Sequence, residues 1–257
     1  MLELQKIVKH YNAGTVNEMC LFDGFDLSIE KGEFVSVVGS NGSGKTSMLN
    51  IICGSIPLDG GRILLDGKDI TRQSEFMRAK YIGRVFQNPA AGTCPSLTIL
   101  ENMSLADNKS GAYGLSRGVN RKRYETYRAM LADIGLGLED KMETRVGVLS
   151  GGQRQAMALI MSTLTPIDFL ILDEHTAALD PKTADTIMRL TDKIVREKGV
   201  TTIMVTHNLR YAVEYGSRLI MMHQGSALLD KSGQDKQNTS VDEILQLFTS
   251  ISIECGN

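Results

Sequence analysis

The stretch Phe34–Thr46 reads FVSVVGSNGSGKT and gives the first evidence about the fold. Its apolar start, Phe34–Val38, predicts a buried β-strand, and the glycine-rich turn Gly39–Thr46 fits the pattern G-x-x-x-x-G-K-[ST]. The apolar residues Met48–Cys53, which end before a glycine, predict a helix soon after the turn. Backbone N–H groups of such a turn surround phosphate oxygens, and the positive end of the following helix points at the same place. The segment therefore predicts a strand, a phosphate-binding loop and a helix, in that order.

Two side chains of this loop have predicted chemical roles. Lys45 is expected to reach the terminal phosphates of a nucleotide, and the Thr46 hydroxyl is expected to bind Mg²⁺, so we expect ATP and Mg²⁺ as ligands. A P-loop kinase or GTPase is the alternative class, although the guanine-recognition motif N-K-x-D of GTPases is absent from the sequence. The residues assigned to nucleotide binding in this segment are Gly39, Ser40, Asn41, Gly42, Ser43, Gly44, Lys45, Thr46 and Ser47.

A second apolar run, Phe169–Leu172, is followed directly by the acidic residues Asp173 and Glu174. Strands and helices alternate in this part of the chain, which predicts a mostly parallel sheet covered by helices. Ligand sites of parallel sheets lie at the carboxyl ends of the strands, so Asp173 is expected to face Mg²⁺ and Glu174 the water that attacks the phosphate. A buried edge strand that ends in solvated acids is the alternative interpretation.

The segment Leu149–Gln153, LSGGQ, is a second glycine-containing turn that opens a predicted helix, and it is therefore a second potential anion site. With the loop before it and the acidic pair after it, this segment resembles the ATP-binding-cassette (ABC) family. The resemblance covers the chain from its start to roughly residue 230. It implies that two copies pair head to tail and that each ATP lies between the loop of one copy and the LSGGQ segment of the other. It assigns nucleotide binding to Ser150, Gly151, Gly152 and Gln153.

The same resemblance implies roles for four further residues. Tyr11 is similar to the aromatic residue that stacks on adenine, and Gln87 to the glutamine that touches Mg²⁺ or water. Asp180 resembles the aspartate that crosses the dimer interface, and His207 the histidine that holds the γ-phosphate. The expected catalytic residues are then Glu174, His207, Lys45 and Gln87, and the expected metal ligands are Thr46, Gln87 and Asp173.

The sequence departs from the family after the acidic pair, where it reads EHTAALD from Glu174 to Asp180. Proline and serine are common at the positions of His175 and Ala177 in the family. The hydrogen bonds that this serine makes in the family are therefore not carried over to this chain.

The distribution of patterns along the chain predicts an α/β fold with a P-loop NTPase core. Period-two runs in the first third predict β-strands, which the resemblance places in an N-terminal antiparallel β region. Residues 90–161 have helical periodicity and predict an inserted helical subdomain, and the last third predicts a mostly parallel sheet. We expect a single domain of residues 1–257, with residues 1–89 and 162–257 as the nucleotide-binding core. The resemblance implies that this arrangement is the ABC ATPase fold.

The composition limits the classes of partner. Of the 257 residues 42% are hydrophobic and the formal net charge is −2, which allows a sizeable core and gives no electrostatic case for nucleic-acid binding. No apolar run reaches the roughly 18 residues of a membrane helix, and the N-terminus lacks a signal-peptide pattern. We therefore expect a cytoplasmic protein that is peripheral on the inner face of the membrane through its partners. The cysteines, expected to be small buried apolar residues, are Cys20, Cys53, Cys94 and Cys255.

The resemblance implies the energy subunit of an ABC transporter, in which ATP binding closes a dimer and hydrolysis reopens it. The expected partners are a second copy of the chain, transmembrane permease subunits and, indirectly, a solute-binding protein. A permease helix is expected to dock on the stretch from Gln87 to Leu100. Import is the predicted direction, with an amino acid or another small organic solute as cargo. A split ABC exporter and a non-transport ABC ATPase of DNA repair or translation stay open as alternatives.

Overall fold

The structure, a computed structural model, describes residues 1–109, 111 and 118–254, so that Cys255 lies outside the described residues. The chain folds into two compact units. One consists of residues 1–79 and the chain from residue 199 onward, and the other of residues 80–198. The strands are β1 (Leu2–Tyr11), β2 (Met19–Ile29), β3 (Phe34–Gly39), β4 (Gly60–Leu65), β5 (Lys68–Asp69), β6 (Ile82–Val85), β7 (Phe169–Asp173), β8 (Thr201–Val205), β9 (Arg218–His223) and β10 (Ser226–Ser232). The α-helices are α1 (Lys45–Cys53), α2 (Glu75–Arg78), α3 (Ile99–Asp107), α4 (Tyr124–Ala132), α5 (Gly151–Ser162), α6 (Pro181–Lys198), α7 (Leu209–Glu214), α8 (Gly233–Gln237) and α9 (Val241–Glu254).

The first unit contains an antiparallel sheet with the strand order β2-β1-β4-β5. Strand β1 pairs with both β2 and β4. Its residues Leu4 and Ile7 are both buried although an odd number of positions separates them. A bulge explains this, because Lys6 has a positive φ of 49° and the register of both pairings shifts beside it. The predicted N-terminal antiparallel β region is therefore present.

A second sheet of the first unit follows the order β10-β9-β3-β8, in which β3 is parallel to both β8 and β9. Strands β3 and β8 are buried along their whole length. A parallel strand covered on both faces is mostly apolar, and this accounts for the run Phe34–Val38. Its one polar residue, Ser36, is buried and donates a hydrogen bond to the carbonyl of Tyr215 at 3.0 Å. Helices α7 and α9 contribute to a buried cluster with this sheet, which consists of Val38, Ala212, Leu219, Met221 and Ile244.

Helix α1 is held at its C-terminal end by a buried arginine. The chain leaves the helix at Gly54, which has a left-handed φ of 83°. The guanidinium of Arg78 donates hydrogen bonds of 2.8 Å to the carbonyls of Ile51 and Ile52 in the last turn. A cation at the C-terminal end of a helix is favoured by the helix dipole, so Arg78 stabilises the helix that follows the phosphate-binding loop.

The second unit contains the parallel strands β6 and β7, paired from Ile82↔Phe169 to Val85↔Leu172, together with helices α3 to α6. Strand β7 is buried throughout. Asp180 accepts a hydrogen bond from the Thr183 N–H at 3.1 Å and caps α6, as its position before Pro181 predicts. None of the helices in residues 1–109 and 118–254 combines the length and the apolar character that a membrane span requires.

The sequence located most elements, with a few differences. It did not predict β5, α2, α8 or β10, and β2 begins at Met19, before the expected start at Asp26. Strand β10 carries mostly exposed polar residues at the edge of its sheet, so that no apolar pattern marks it. The expectation that the cysteines are buried is correct for Cys53 and wrong for Cys20 and Cys94. Those two are exposed and lie near the start of β2 and in the loop before α3.

Candidate functional site

The glycine-rich loop between β3 and α1 depends on glycine at both ends. A Cβ on Gly39 would lie 2.3 Å from the carbonyl oxygen of Met222 in β9, which is closer than atoms can approach. Gly44 has a φ of 102°, in the left-handed region that glycine adopts readily, and is the N-cap of α1. The helix therefore begins at Lys45 with its first N–H groups directed into the loop, an arrangement that suits an anion such as phosphate.

Lys45 is a buried cation inside this loop. Its Nζ donates hydrogen bonds to the carbonyls of Gly39 at 2.7 Å and Ser40 at 2.8 Å, and only 5% of the residue is exposed. Backbone carbonyls are hydrogen-bond acceptors that stabilise an ammonium group. The ammonium of Lys45 therefore lies inside the loop, at the place where the sequence predicts binding of the terminal phosphates.

Tyr11 lies beside the first turn of α1. It is the last residue of β1, and its hydroxyl donates a hydrogen bond to Oγ of Ser47 at 3.1 Å. The ammonium of Lys9 lies 5.7 Å from the centroid of the ring and forms an ion pair with Asp59 at 3.2 Å. The ring is thus fixed next to the loop, and the link through Ser47 is a contact that the sequence did not predict.

His207 is close to the loop along the sheet of the first unit. Strands β3 and β8 are parallel, with Val37 paired to Val205, so both strands end at the same edge. The N–H of Thr206 donates to the carbonyl of Val37 at 3.1 Å, which fixes the first residue beyond β8. His207 is the next residue and is exposed. The edge that carries the phosphate-binding loop therefore also carries the predicted histidine.

The acidic pair Asp173 and Glu174 lies at the carboxyl end of β7 in the second unit. Asp173 is the last residue of the buried strand and is itself 8% exposed. Glu174 is half-buried and has a positive φ of 48°, which is uncommon for a residue with a side chain. Residues held in this conformation are concentrated at functional sites, and the role of Glu174 stays a prediction.

Arg84 forms an ion pair with Asp173 that the sequence reasoning missed. Its Nη2 donates to Oδ2 of Asp173 at 2.7 Å, and its guanidinium lies 4.6 Å from the ring centroid of Phe86. One signal in the sequence could have indicated this contact, because Arg84 is a charged residue between the buried residues Gly83 and Val85 of β6. A charge in a buried strand needs a partner of opposite sign.

His175 fills the position where the family often has proline. The residue is 2% exposed, and burial lowers the pKa of its imidazole to about 4. Its Nε2 lies 3.1 Å from Oγ1 of Thr191, whose own proton is donated to the carbonyl of Ile187 at 2.8 Å. Thr191 must therefore accept from His175, which makes Nε2 the protonated nitrogen of the neutral ring. This bond ties the residue after Glu174 to helix α6.

The LSGGQ segment forms a capping box at the start of α5. Ser150 Oγ accepts from the N–H of Gln153 at 3.2 Å, and Gln153 Oε1 accepts from the N–H of Ser150 at 3.2 Å. The amide nitrogen of Gln153 donates to the carbonyl of Leu136 at 3.0 Å. Gly152 is buried against Thr183, with the place of a Cβ only 2.2 Å from its Cγ2. Gln153 thus shapes the turn, while Ser150 is exposed at the helix N-terminus.

Two further predicted residues lie at the ends of elements in the second unit. Gln87 is exposed and follows β6, and the carbonyl of its neighbour Phe86 accepts a hydrogen bond from Gln155 of α5 at 3.0 Å. Asp180 is exposed, and its hydrogen bonds with Thr183 lower the pKa of its carboxyl below the ordinary value. Asp180 therefore carries a negative charge at neutral pH.

The three predicted metal ligands have side chains of the kind that Mg²⁺ binds. Thr46 offers a hydroxyl, Gln87 an amide carbonyl and Asp173 a carboxylate, so all three supply oxygen atoms. Mg²⁺ prefers oxygen ligands and is bound in nucleotide sites by one or two protein groups together with phosphates. The chemistry of the donor set fits this ion.

The chain is similar to known proteins of one family. The profile of the ABC transporter family matches residues 22–177. The chain is 47% identical, over 96% of its length and 98% of the other chain, to a tyrosine transport ATP-binding protein of Clostridioides difficile (strain R20291). It is 32% identical, over 90% of its length and 82% of the other chain, to a phosphonates import ATP-binding protein of Alcaligenes faecalis.

A solved structure with the same architecture is a dimeric ATP-binding cassette in a post-hydrolysis state bound to ADP and phosphate. It has a TM-score of 0.77 and 30% identity, over 90% of this chain and 98% of the other. The family match extends over more than half of the chain and includes the loop, the LSGGQ segment and the acidic pair. This protein is an ATP-hydrolysing, ATP-binding cassette of the ABC transporter family.

Proposed function

We propose that the chain is the ATPase subunit of an importer for tyrosine or a closely related amino acid. The observation that carries this proposal is the 47% identity to a tyrosine transport ATP-binding protein over nearly the whole length of both chains. A phosphonates import protein, by contrast, shares 32% identity. Other subunits of a transporter select the cargo. The sequence of the ATPase therefore indicates the cargo only because related transporters share a common ancestor.

We assign ATP binding to the loop and its neighbours. The ammonium of Lys45 offsets negative charge on the terminal phosphates, and the N–H groups of the glycine loop bind their oxygens. Tyr11 stacks on the adenine, since its ring is held beside Ser47 by the hydrogen bond of 3.1 Å. The assigned binding residues of the loop are Gly39, Ser40, Asn41, Gly42, Ser43, Gly44, Lys45, Thr46 and Ser47.

We assign metal binding to Thr46, Gln87 and Asp173, whose oxygen atoms fit Mg²⁺. When bound, Mg²⁺ supplies positive charge to the phosphates in the transition state. Glu174 orients the attacking water and accepts its proton, because a carboxylate next to the metal ligand is the suitable base. His207 donates a hydrogen bond to the γ-phosphate and holds it in line with that water.

The active form is a head-to-tail dimer of two copies of the chain. The exposed Ser150 and the N-terminus of α5, with Gly151 and Gly152, contact the γ-phosphate of the ATP held by the partner's loop. Gln153 acts through the capping box that shapes this turn. Asp180 reaches across the interface, where its low pKa keeps it ionised.

The dimer works on transmembrane permease subunits, which place it at the cytoplasmic face of the membrane and receive cargo from a solute-binding protein. The stretch from Gln87 to Leu100 receives a permease helix. This stretch begins beside Phe86, whose carbonyl accepts a hydrogen bond from Gln155 of α5. A movement of the stretch is therefore transmitted to α5, the helix that begins at the LSGGQ segment. Residues 90–161 form the helical subdomain of the cassette.

Uptake of labelled tyrosine tests the proposal. A strain that lacks the gene is expected to take up tyrosine slowly and to recover with the wild-type gene but not with Glu174→Gln. An excess of unlabelled phenylalanine should compete more strongly than methionine or a phosphonate. Competition by the phosphonate alone would contradict the cargo, and faster efflux in the complemented strain would contradict the direction. Failure of Glu174→Gln to abolish uptake would contradict the catalytic assignment.

A further inference from the structure

Arg84 and Asp173 form one of the most buried ion pairs in the described part of the second unit. Nη2 of Arg84 lies 2.7 Å from Oδ2 of Asp173, and the two side chains are 12% and 11% exposed. The residues belong to neighbouring parallel strands, because β6 and β7 are paired up to Val85↔Leu172. Both backbones are therefore fixed. A buried pair with fixed backbones keeps its geometry and its charge interaction better than a surface pair.

The surroundings of Arg84 hold its guanidinium against the carboxylate. The ring of Phe86 lies under it, 4.6 Å from ring centroid to Cζ. The carbonyl of Phe86 is in turn bonded to Gln155, which is 1% exposed in α5. Nε of Arg84 is buried and makes no hydrogen bond to the described residues. Asp173 is thus the anionic partner of this buried cation, and stacking on Phe86 fixes the rotamer of Arg84.

We propose that Arg84 is a positioning residue that restrains Asp173 from binding a divalent cation until nucleotide is present. The proposal rests on the proposed function, in which Asp173 is a metal ligand of the ATP site. Arg84 occupies Oδ2 and orients the carboxylate, so that Oδ1 is the oxygen assigned to the metal. It also cancels the charge of the carboxylate, which therefore attracts a divalent cation only weakly.

Coulomb repulsion supplies the restraint. A guanidinium a few ångströms from a metal site opposes a doubly charged ion, and the effect is stronger in partly buried surroundings than in water. Without Arg84 the carboxylate of Asp173 at the end of β7 would lack this cation. A carboxylate oxygen whose charge is not cancelled is a ligand that divalent cations such as Mg²⁺ and Mn²⁺ bind. ATP overcomes the restraint because its phosphates add negative charge that Arg84 does not cancel.

Binding of Mn²⁺ to the nucleotide-free, full-length protein tests the proposal, with free Mn²⁺ measured by electron paramagnetic resonance. Arg84→Met removes the charge and keeps an apolar stem, so the dissociation constant for Mn²⁺ is expected to fall about tenfold or more. Arg84→Lys keeps the charge and should bind Mn²⁺ as weakly as the wild type. Arg128→Met is the matched control, because it removes an exposed guanidinium of α4 that pairs with Asp140.

The added affinity should vanish in Arg84→Met combined with Asp173→Asn, since the released carboxylate is the expected ligand. Circular dichroism establishes that each variant is folded. Where Arg84→Met does not fold, Arg84→Gln gives the same test and retains a hydrogen-bond donor for Oδ2.

Wild-type Mn²⁺ affinity in a folded charge-removing variant overturns the proposal. Equal tightening in Arg84→Lys overturns it as well, because the charge would then not be the cause. A calorimetric titration of Lys45→Ala with ATP tests the proposed function separately from the role of Arg84. An ATP affinity equal to that of the wild type would count against the nucleotide site. The Mn²⁺ affinities of the Arg84 variants would still decide the role of Arg84.

Discussion

Replacing His175 with glutamine is expected to change the way in which the free energy of unfolding depends on pH. The residue is 2% exposed, and burial lowers the pKa of its ring from 6.5 to about 4. The folded pKa lies below the unfolded value, so protonation favours the unfolded chain. The stabilisation is complete above about pH 6.5 and is lost as the pH falls from there to about 4.

The size of the effect follows from the two pKa values. Between pH 7 and pH 5 the wild-type chain loses about 2 kcal/mol through this group, and the full loss below pH 4 is about 3 kcal/mol. Glutamine does not titrate, and its amide N–H can donate to Oγ1 of Thr191 in place of the imidazole. The variant His175→Gln therefore keeps the hydrogen bond to α6 and removes the proton uptake.

Urea unfolding followed by far-ultraviolet circular dichroism at pH 7, 6 and 5 measures the difference. Between pH 7 and pH 5 the free energy of unfolding should fall by about 2 kcal/mol more for the wild type than for His175→Gln. Thr191→Ser keeps the hydroxyl acceptor and should follow the pH dependence of the wild type. Parallel curves for wild type and His175→Gln would refute the reasoning, because His175 would then titrate alike in the folded and unfolded chains.

Three further changes test packing and binding. Arg78→Met leaves the carbonyl of Ile52 without its donor, although Ile51 still accepts from the N–H of Gly54. The change should lower the free energy of unfolding in urea by about 2 kcal/mol, whereas the exposed Arg72→Met should stay within about 0.5 kcal/mol. Tyr11→Ala should weaken ATP binding in a calorimetric titration about tenfold through lost stacking, and Tyr11→Phe much less because the ring remains. Gly152→Ala should destabilise the protein, since its Cβ meets Cγ2 of Thr183 at 2.2 Å, and adding Thr183→Ser should restore the melting temperature by removing that methyl group.

The parts of the site that could be predicted from the sequence are motifs whose residues are adjacent in the chain. The loop Gly39–Thr46 lies between β3 and α1 as expected, because the glycines and the flanking apolar runs determine the backbone locally. Asp173 ends β7 for the same reason. His207 was predicted from the resemblance to the ABC family, and the parallel pairing of β3 and β8 brings the end of its strand to the same edge as the loop.

The contacts that the sequence did not predict arise from tertiary packing. Arg84 could have been an exposed residue of an edge strand, and its pairing with Asp173 depends on the register of β6 and β7. His175 was noted only as a departure from the family, since its burial depends on how α6 packs. The bond between Tyr11 and Ser47 joins residues far apart in the chain, and no local pattern could indicate it.

ATP-dependent dimerisation of Glu174→Gln tests the central claim, that ATP lies between the loop of one copy and the LSGGQ segment of another. The variant keeps the size and hydrogen bonding of Glu174 but lacks the charge that activates water, so it should bind ATP without hydrolysing it. Light scattering on the purified variant should show a monomer in ADP and a dimer in Mg-ATP. Adding Ser150→Arg, which puts a bulky cation into the composite site, should abolish the dimer. A Glu174→Gln protein that binds ATP, does not hydrolyse it and stays monomeric would contradict the claim, as would a dimer that Ser150→Arg leaves intact.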